Sequence, residues 1–149
     1  MLKGVDPLIG PDLLMVLAAM GHGDELVIAD ANFPSATIAK GSVHGQVLRI
    51  ACGAPRAVQA VLSVMPVDTY EAHPVHSMQV VGDAHATPEV VSDAAPLFAA
   101  EQVSITALER FEFYERARNA FAVVATAEMR QYGNFIIRKG VITTHANPA

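Results

Sequence analysis

Short apolar runs alternate with segments of helical spacing along almost the whole chain. The short, mainly apolar runs, which are typical of strands buried on both faces, are 26–29, 47–51, 75–81, 103–107, 121–126 and 134–138. Helical spacing or helix-start signals mark 11–20, 53–65, 87–96 and 111–120. This alternation predicts an α/β protein, a three-layer α/β/α sandwich around a largely parallel central sheet of about six strands.

Proline and glycine predict several boundaries of these elements. Pro11 favours the start of the first helix, and Gly21 or Gly23 is expected to end it. We expect Pro96 to kink or end the helix that contains it, because proline lacks a backbone donor. Residues 30–46 are rich in turn formers and are expected to form a loop.

Length and composition restrict the class of protein. The 149 residues are enough for one domain over 1–149, and we expect 145–149 to be a frayed tail. The net charge is −5 and no cluster of Lys or Arg occurs, which argues against nucleic acid as a partner. Only 17% of residues are charged, fewer than a small domain needs to cover its surface. We therefore expect part of that surface to be buried between copies in a homo-oligomer.

The longest uninterrupted apolar run, 13–20, has eight residues, whereas a membrane helix needs about 20. Asp6, Pro7 and Pro11 precede this run and no small-residue cleavage site follows it, so a signal peptide is disfavoured. The sequence thus predicts a cytoplasmic, unprocessed protein with no membrane partner.

His22 is the first candidate for chemistry, because it lies between two glycines in the segment that joins the first helix to the first strand. An exposed imidazole with room on both sides can donate and accept a proton near neutral pH. The structural alternative is an exposed histidine in a loop that merely caps the helix.

Polar side chains also follow or precede other predicted elements. Asp30 ends the first strand, where its carboxylate could accept hydrogen bonds from sugar hydroxyls, orient a histidine or simply cap the loop. Arg110 lies just outside a helix and is free to meet a ligand. Tyr132, Gly133 and Asn134 form a predicted turn that presents a phenol and an amide before the last strand.

A metal site and a nucleophile are weakly supported. His73 and His76 have a spacing that could hold zinc, but no second pair of ligands completes the set. Cys52 is the single cysteine, and no base can be identified beside it.

Three separated segments carry a resemblance to a known family. They are LKGVDPLIGPDLLMVLAAMGHGDELVIADANFP, RFEFYERARNAFAVVATAE and YGNFIIRKGV, in this order. The chain resembles the fucose mutarotase and ribose pyranase family (FucU/RbsD) from Leu2 to about Val141, and most strongly its fucose mutarotase branch. It departs from the family at Asn32, where a histidine is frequent.

The resemblance implies roles for individual residues. It implies that His22 is the catalytic proton donor and that Asp30, Arg110, Tyr132, Gly133 and Asn134 bind the sugar. It also implies an α/β/α fold, no metal or organic cofactor, and large rings, commonly decamers, with sites at subunit interfaces. The ribose branch typically has histidine in place of Arg110 and Tyr-Ala-Asn as its closing motif, so this chain is closer to the fucose branch.

Several functions are therefore weighed. The leading expectation is an isomerase that interconverts the α and β anomers of L-fucose or a related sugar by ring opening and closing. The alternatives are a D-ribose pyranase, a non-catalytic sugar-binding accessory protein of an uptake system, and a metal-dependent enzyme using His73 and His76. An accessory protein would need no proton donor, so His22 separates it from the enzymes.

Overall fold

The computed structural model describes residues 2–143, so the expected frayed tail lies outside the described residues. The elements in chain order are α1 (Pro11–Ala19), β1 (Glu25–Ala29), α2 (Ser35–Ala39), β2 (Val47–Arg49), α3 (Ala54–Leu62), β3 (Val75–Met78), α4 (Glu89–Ala100), β4 (Ile105–Leu108), α5 (Arg110–Arg118), β5 (Ala122–Ala125) and β6 (Phe135–Arg138). Across these residues no helix is both long and apolar enough to cross a bilayer.

The six strands form one mixed sheet in the order β2-β5-β1-β6-β3-β4. β1, β2 and β5 run parallel to one another, as do β3 and β4. β6 is inserted between β1 and β3 and runs antiparallel to both. The prediction of a largely parallel sheet of about six strands is confirmed. The reversed direction of β6 places its amino end at the edge where the other five strands have their carboxyl ends.

Helices cover both faces of the sheet, as the apolar runs predict. Leu26 and Ile28 of β1 pack in the larger core with α1, α3 and α4. Val27 and Ala29 point the other way and pack with α2 and α5. Because alternate residues of β1 are buried on opposite faces, the strand needs apolar side chains throughout. The three-layer architecture is therefore confirmed.

One local prediction was wrong and another was wrong in part. The segment 30–46 is not all loop, since α2 forms within it and buries Ile38 and Ala39. α1 ends next to Gly21 as predicted, with Met20 as its C-cap. α4 does not end at Pro96 but continues to Ala100, so of the two expected effects of this proline, a kink or an end, the end was wrong. Proline is tolerated there because it lies on the exposed side of the helix, where water can solvate the carbonyl group that loses its hydrogen bond.

Candidate functional site

Five of the six residues singled out in the sequence gather at one edge of the sheet. Asp30 follows β1 directly, Arg110 begins α5 two residues after β4, and Asn134 immediately precedes β6. Because β6 is antiparallel, its first residues meet the carboxyl ends of β1 and β3. We call the set of Asp30, Arg110, Tyr132, Gly133 and Asn134 the carboxyl-edge site. Ligands of open α/β sheets bind at this kind of edge.

A reciprocal pair of hydrogen bonds joins Asp30 to Asn134. The backbone N–H of Asp30 donates to Asn134 Oδ1 over 2.9 Å, and Asn134 Nδ2 donates to Asp30 Oδ2 over 3.0 Å. Both side chains are buried, with 3% of each residue exposed. The pair fixes the amide so that its remaining Nδ2 hydrogen is available to a ligand.

The Asp30 carboxylate accepts three further hydrogen bonds, all from backbone N–H groups. Oδ1 accepts from Asn32 and Phe33, each over 2.9 Å, and Oδ2 accepts from Gly133 over 3.1 Å. The sequence left open whether Asp30 caps a loop or serves a site. The structure shows that it caps the loop after β1 and, through the same carboxylate, holds the turn before β6.

Tyr132 and Gly133 form a tight turn at this edge. Tyr132 has φ of 64°, which is left-handed backbone that non-glycine residues seldom adopt and that costs about 1–3 kcal/mol. Its hydroxyl oxygen accepts a hydrogen bond from the Val81 N–H over 3.2 Å, so its own proton is free to be donated. A Cβ on Gly133 would lie 2.9 Å from Cγ of Glu128, so glycine lets the turn pass close to that side chain.

Arg110 is the cation of the carboxyl-edge site. The side chain of Glu109 caps α5 by accepting from the N–H groups of Phe111 and Glu112, which fixes the first turn that carries Arg110. Its guanidinium carbon lies 4.7 Å from the centre of the Phe111 ring. Its Nε is buried and has no hydrogen-bond partner within residues 2–143. A buried donor without an acceptor favours a ligand oxygen nearby.

These groups border a cavity of about 170 Å³. Its lining residues are Asp30, Asn32, Phe33, Met78, Val81, Arg110, Tyr114, Gln131, Tyr132 and Asn134. Phe33 packs against Tyr114 at 5.5 Å between ring centres, and this contact gives the cavity an aromatic wall. Donors and an acceptor on one side with apolar rings on another suit a small polyhydroxylated ligand.

The side chain of Glu128 lies against the turn at Gly133 and is hydrogen-bonded to Arg130. Arg130 Nε donates to Glu128 Oε1 over 2.9 Å, and the Ala54 N–H at the start of α3 donates to Oε2 over 3.2 Å. The hydrogen bond from Arg130 lowers the pKa of Glu128 to about 2, against the opposing effect of burial. The Glu128 backbone oxygen also accepts from the Ala31 N–H. Glu128 thereby connects α3, the loop after Asp30 and the Gly133 turn.

His22 lies elsewhere, at the opposite edge of the sheet. Its Nε2 is 3.1 Å from Oδ2 of Asp68, and Arg138 Nε donates to the same oxygen over 3.1 Å. Asp68 Oδ1 accepts from the Tyr70 N–H over 3.0 Å. We call His22, Asp68 and Arg138 the amino-edge site. Asp68 is buried, whereas 48% of the His22 side chain is exposed.

Burial alone would raise the pKa of Asp68. The hydrogen bonds from the Tyr70 N–H, from Arg138 and from His22 outweigh burial and lower this pKa below its ordinary value. The carboxylate is therefore ionised at neutral pH and can only accept hydrogen bonds.

The two edge sites of one chain cannot meet. The five residues of β1 separate its ends by about 13 Å, at a rise of about 3.3 Å per residue, and each site lies beyond one end. A proton donor must approach the reacting oxygen to about 3 Å. Within one chain the structure therefore brings together Asp30, Arg110, Tyr132, Gly133 and Asn134, but not His22.

The residues that suggested a metal or a nucleophile do not form a cluster. His76 is buried in β3, where burial first of all lowers its pKa, and His73 Nδ1 lies 3.1 Å from Thr106 Oγ1. Over residues 2–143, no three His, Cys, Asp or Glu side chains are grouped as metal ligands would be. Burial raises the pKa of the Cys52 thiol, which keeps it protonated.

Sequence reasoning missed Asp68 and Glu128. Asp68 lies in a loop 46 residues after His22, and no local spacing connects the two. Glu128 falls inside a segment quoted for the family resemblance, and only its hydrogen bonds reveal its supporting position.

Comparison with known proteins identifies the family to which this chain belongs. The model of the RbsD / FucU transport protein family matches residues 3–142. This chain belongs to that family.

Individual relatives agree over nearly the full length. The chain is 44% identical to the fucose mutarotase of Bos taurus over 145 residues, which is 95% of this chain and 94% of that protein. It is similar to the structure of FucU from Bifidobacterium longum, with a TM-score of 0.83, 44% identity, and coverage of 95% and 100% of the two chains. The fucose mutarotase of Streptococcus pneumoniae, solved with L-fucose, has a TM-score of 0.82, 37% identity and the same coverage.

Proposed function

We propose that this protein is an isomerase that interconverts the α and β anomers of L-fucose or a closely related 6-deoxy sugar. The observation that carries the proposal is the carboxyl-edge site, where Arg110, Tyr132 and Asn134 border a cavity of about 170 Å³ with an aromatic wall. The family membership and the names of the full-length relatives support the same activity.

The groups of the cavity are suited to hold a sugar by its hydroxyls. The Arg110 guanidinium and the free Nδ2 hydrogen of Asn134 supply donors, and Oδ2 of Asp30 supplies negative charge beneath them. The rings of Phe33 and Tyr114 offer a surface for the apolar face of the sugar.

Mutarotation needs two proton transfers and no external reactant. One proton leaves the anomeric hydroxyl while another reaches the ring oxygen, the C1–O5 bond breaks, and an aldehyde forms. Rotation about C1–C2 and the reverse transfers close the ring on the other face. An imidazole can both donate and accept a proton, and such help is worth about 10²–10⁴-fold in rate. We assign this role to His22, with Tyr132 or water as its counterpart.

Because the two edge sites of one chain lie apart, the role proposed for His22 calls for His22 from another copy of the chain. We propose that the protein is a ring-forming homo-oligomer, a decamer as in the family, in which the amino-edge site of one subunit closes the carboxyl-edge site of its neighbour. The low share of charged residues and the exposed Met129, Phe111 and Val81 support burial of this surface between copies. The cytoplasmic location expected from the sequence is part of the same proposal.

Exchange NMR on the anomeric protons of L-fucose tests the activity. With wild-type protein, we expect the signals of the two anomers to broaden and to show transfer of saturation between them. We expect His22→Ala to abolish most of this exchange while sugar binding persists. His85→Ala is the matched control, because His85 is exposed and only its backbone N–H is hydrogen-bonded. Full exchange by His22→Ala would remove His22 from the mechanism.

The same assay with other sugars separates the alternatives. A D-ribose pyranase would exchange pyranose and furanose signals of ribose faster than fucose anomers. An accessory protein would bind sugar, and His22→Ala would behave like wild type. Arg110 in place of histidine and Tyr-Gly-Asn in place of Tyr-Ala-Asn favour fucose.

A further inference from the structure

We propose that Asp68 is a positioning residue that holds His22 in one tautomer and directs its Nδ1 toward the reacting sugar. The inference rests on the proposed function for the role of His22, but its structural part concerns His22 and Asp68 alone. Asp68 does not line the cavity of its own chain, and its role is to act through the imidazole that it contacts.

The geometry of the amino-edge site determines which nitrogen carries the proton. Asp68 Oδ2 lies 3.1 Å from His22 Nε2. Since an ionised carboxylate has no proton to donate, Nε2 must carry the hydrogen of this bond. No protein group within residues 2–143 hydrogen-bonds to Nδ1 of His22. The neutral imidazole therefore has its lone pair on Nδ1, facing away from Asp68, and this nitrogen accepts the proton of the anomeric hydroxyl or returns one to the ring oxygen.

Asp68 is itself held rigidly. Arg138 Nε and the Tyr70 N–H each donate to its carboxylate, and 3% of its side chain is exposed. The edge of the Tyr70 ring lies against His22, with 6.2 Å between ring centres. A fixed, desolvated carboxylate can orient an otherwise half-exposed imidazole, because a free His22 would lose orientation by rotating about its side-chain bonds.

The backbone beside His22 is shaped around the same arginine. Gly23 has φ of 88°, and a Cβ there would lie 3.0 Å from Arg138 Nη2. The Gly23 N–H donates to the carbonyl oxygen of Lys139, which ties the loop to the end of β6. Arg138 thus fixes Asp68 directly and constrains the path of the loop that carries His22.

Nitrogen-15 NMR of ring-labelled histidine tests the tautomer. The His22 signals are identified by their loss in His22→Ala. We expect the neutral ring of wild-type His22 to show a protonated Nε2 and a nonprotonated Nδ1. In Asp68→Asn, we expect a mixture of the two neutral tautomers of His22. A protonated Nδ1 in the wild-type protein would overturn the inference without any variant, even where Asp68→Asn fails to fold.

Enzyme kinetics test whether the orientation of His22 by Asp68 contributes to catalysis. We expect Asp68→Asn to lower kcat for fucose exchange by roughly 10–100-fold, as the loss of groups that orient metal-binding imidazoles does, with little change in KM and an altered pH profile. Asp24→Asn is the matched control, since Asp24 lies in the same loop and its carboxylate accepts from the Gly21 N–H rather than from His22. A fully active Asp68→Asn with an unchanged tautomer refutes the positioning role. Wild-type protein that exchanges no sugar refutes the proposed function instead, and the NMR result still decides whether Asp68 sets the tautomer.

Discussion

His22 and Asp30 lie beyond opposite ends of the same strand, β1. Asp30 organises the carboxyl-edge site through five hydrogen bonds, counting that of its own N–H to Asn134, and His22 belongs to the amino-edge site with Asp68. A rigid strand in the middle of a sheet cannot bend to bring the two together. Each chain therefore carries the two edge sites apart from each other, and the proposed function joins them across a contact between two copies.

Arg110→Ala is predicted to weaken sugar binding without lowering stability. A charge-assisted hydrogen bond contributes about 1.5–3 kcal/mol, which corresponds to a loss of affinity of roughly 10- to 100-fold. Titration calorimetry with L-fucose measures this loss, and a thermal melt checks the fold. Arg118→Ala is the control on the same helix, because Arg118 forms only a surface ion pair with Glu115. Unchanged affinity in Arg110→Ala would remove Arg110 from the site.

Asp30→Asn is predicted to lower both stability and sugar affinity. If the amide NH₂ replaces Oδ1, it faces the N–H groups of Asn32 and Phe33, and if it replaces Oδ2, it faces the N–H of Gly133. Buried donors that face each other without an acceptor cost about 1–3 kcal/mol. Thermal melts and calorimetry on the same samples separate the two effects. A lower melting temperature with unchanged affinity would mean that Asp30 only caps the loop.

Gly133→Ala is predicted to displace the turn that carries Tyr132 and Asn134. The added methyl group would meet Glu128 Cγ at 2.9 Å, and overpacking of this kind costs about 1–3 kcal/mol. We expect a lower melting temperature and weaker fucose binding. Gly10→Ala is the control, since a Cβ there meets nothing within 4 Å. Wild-type stability and affinity in Gly133→Ala would show that the Glu128 side chain moves aside freely.

The pKa of Glu128 predicts part of the acid sensitivity of the fold. Because folding lowers this pKa from 4.5 to about 2, the unfolded chain binds the proton more readily, and the stabilisation from ionised Glu128 is complete above pH 4.5. It is lost as the pH falls toward 2. Denaturant melts between pH 5 and pH 2 should show a shallower loss of stability in Glu128→Gln than in wild type. Equal slopes would contradict this coupling.

The fold was largely predictable because its strands are buried on both faces. Continuous apolar runs such as that of β1 admit few other interpretations, and their alternation with helices predicts the layers. The reversed direction of β6 was not predictable, since residues 135–138 look like any other buried strand. α2 was missed because a single helical turn gives little periodicity. The continuation of α4 past Pro96 was missed because the sequence does not show that Pro96 lies on the exposed side of that helix.

Local motifs and the family resemblance together predicted the candidate site residues, but not which of them lie together in one chain. Asp30, Arg110 and Asn134 follow or precede elements, and the sheet brings them together. His22 stood out by its flanking glycines, yet its partner Asp68 is defined only by tertiary contacts that include Arg138, at the far end of β6. The separation of His22 from Asp30 follows from strand direction, which the sequence specifies only through packing.

Mixing of subunits tests the shared site most directly. His22→Ala and Arg110→Ala chains with different tags are unfolded, combined in equal amounts and refolded, and oligomers carrying both tags are assayed at a fucose concentration well below half-saturation. Each variant alone should be nearly inactive. If neighbours complete each other's sites in a closed ring, random mixing gives about a quarter of the sites both intact groups, so the mixed oligomers should recover about a quarter of wild-type exchange. Mixed oligomers that remain as inactive as either parent would contradict a site shared between subunits.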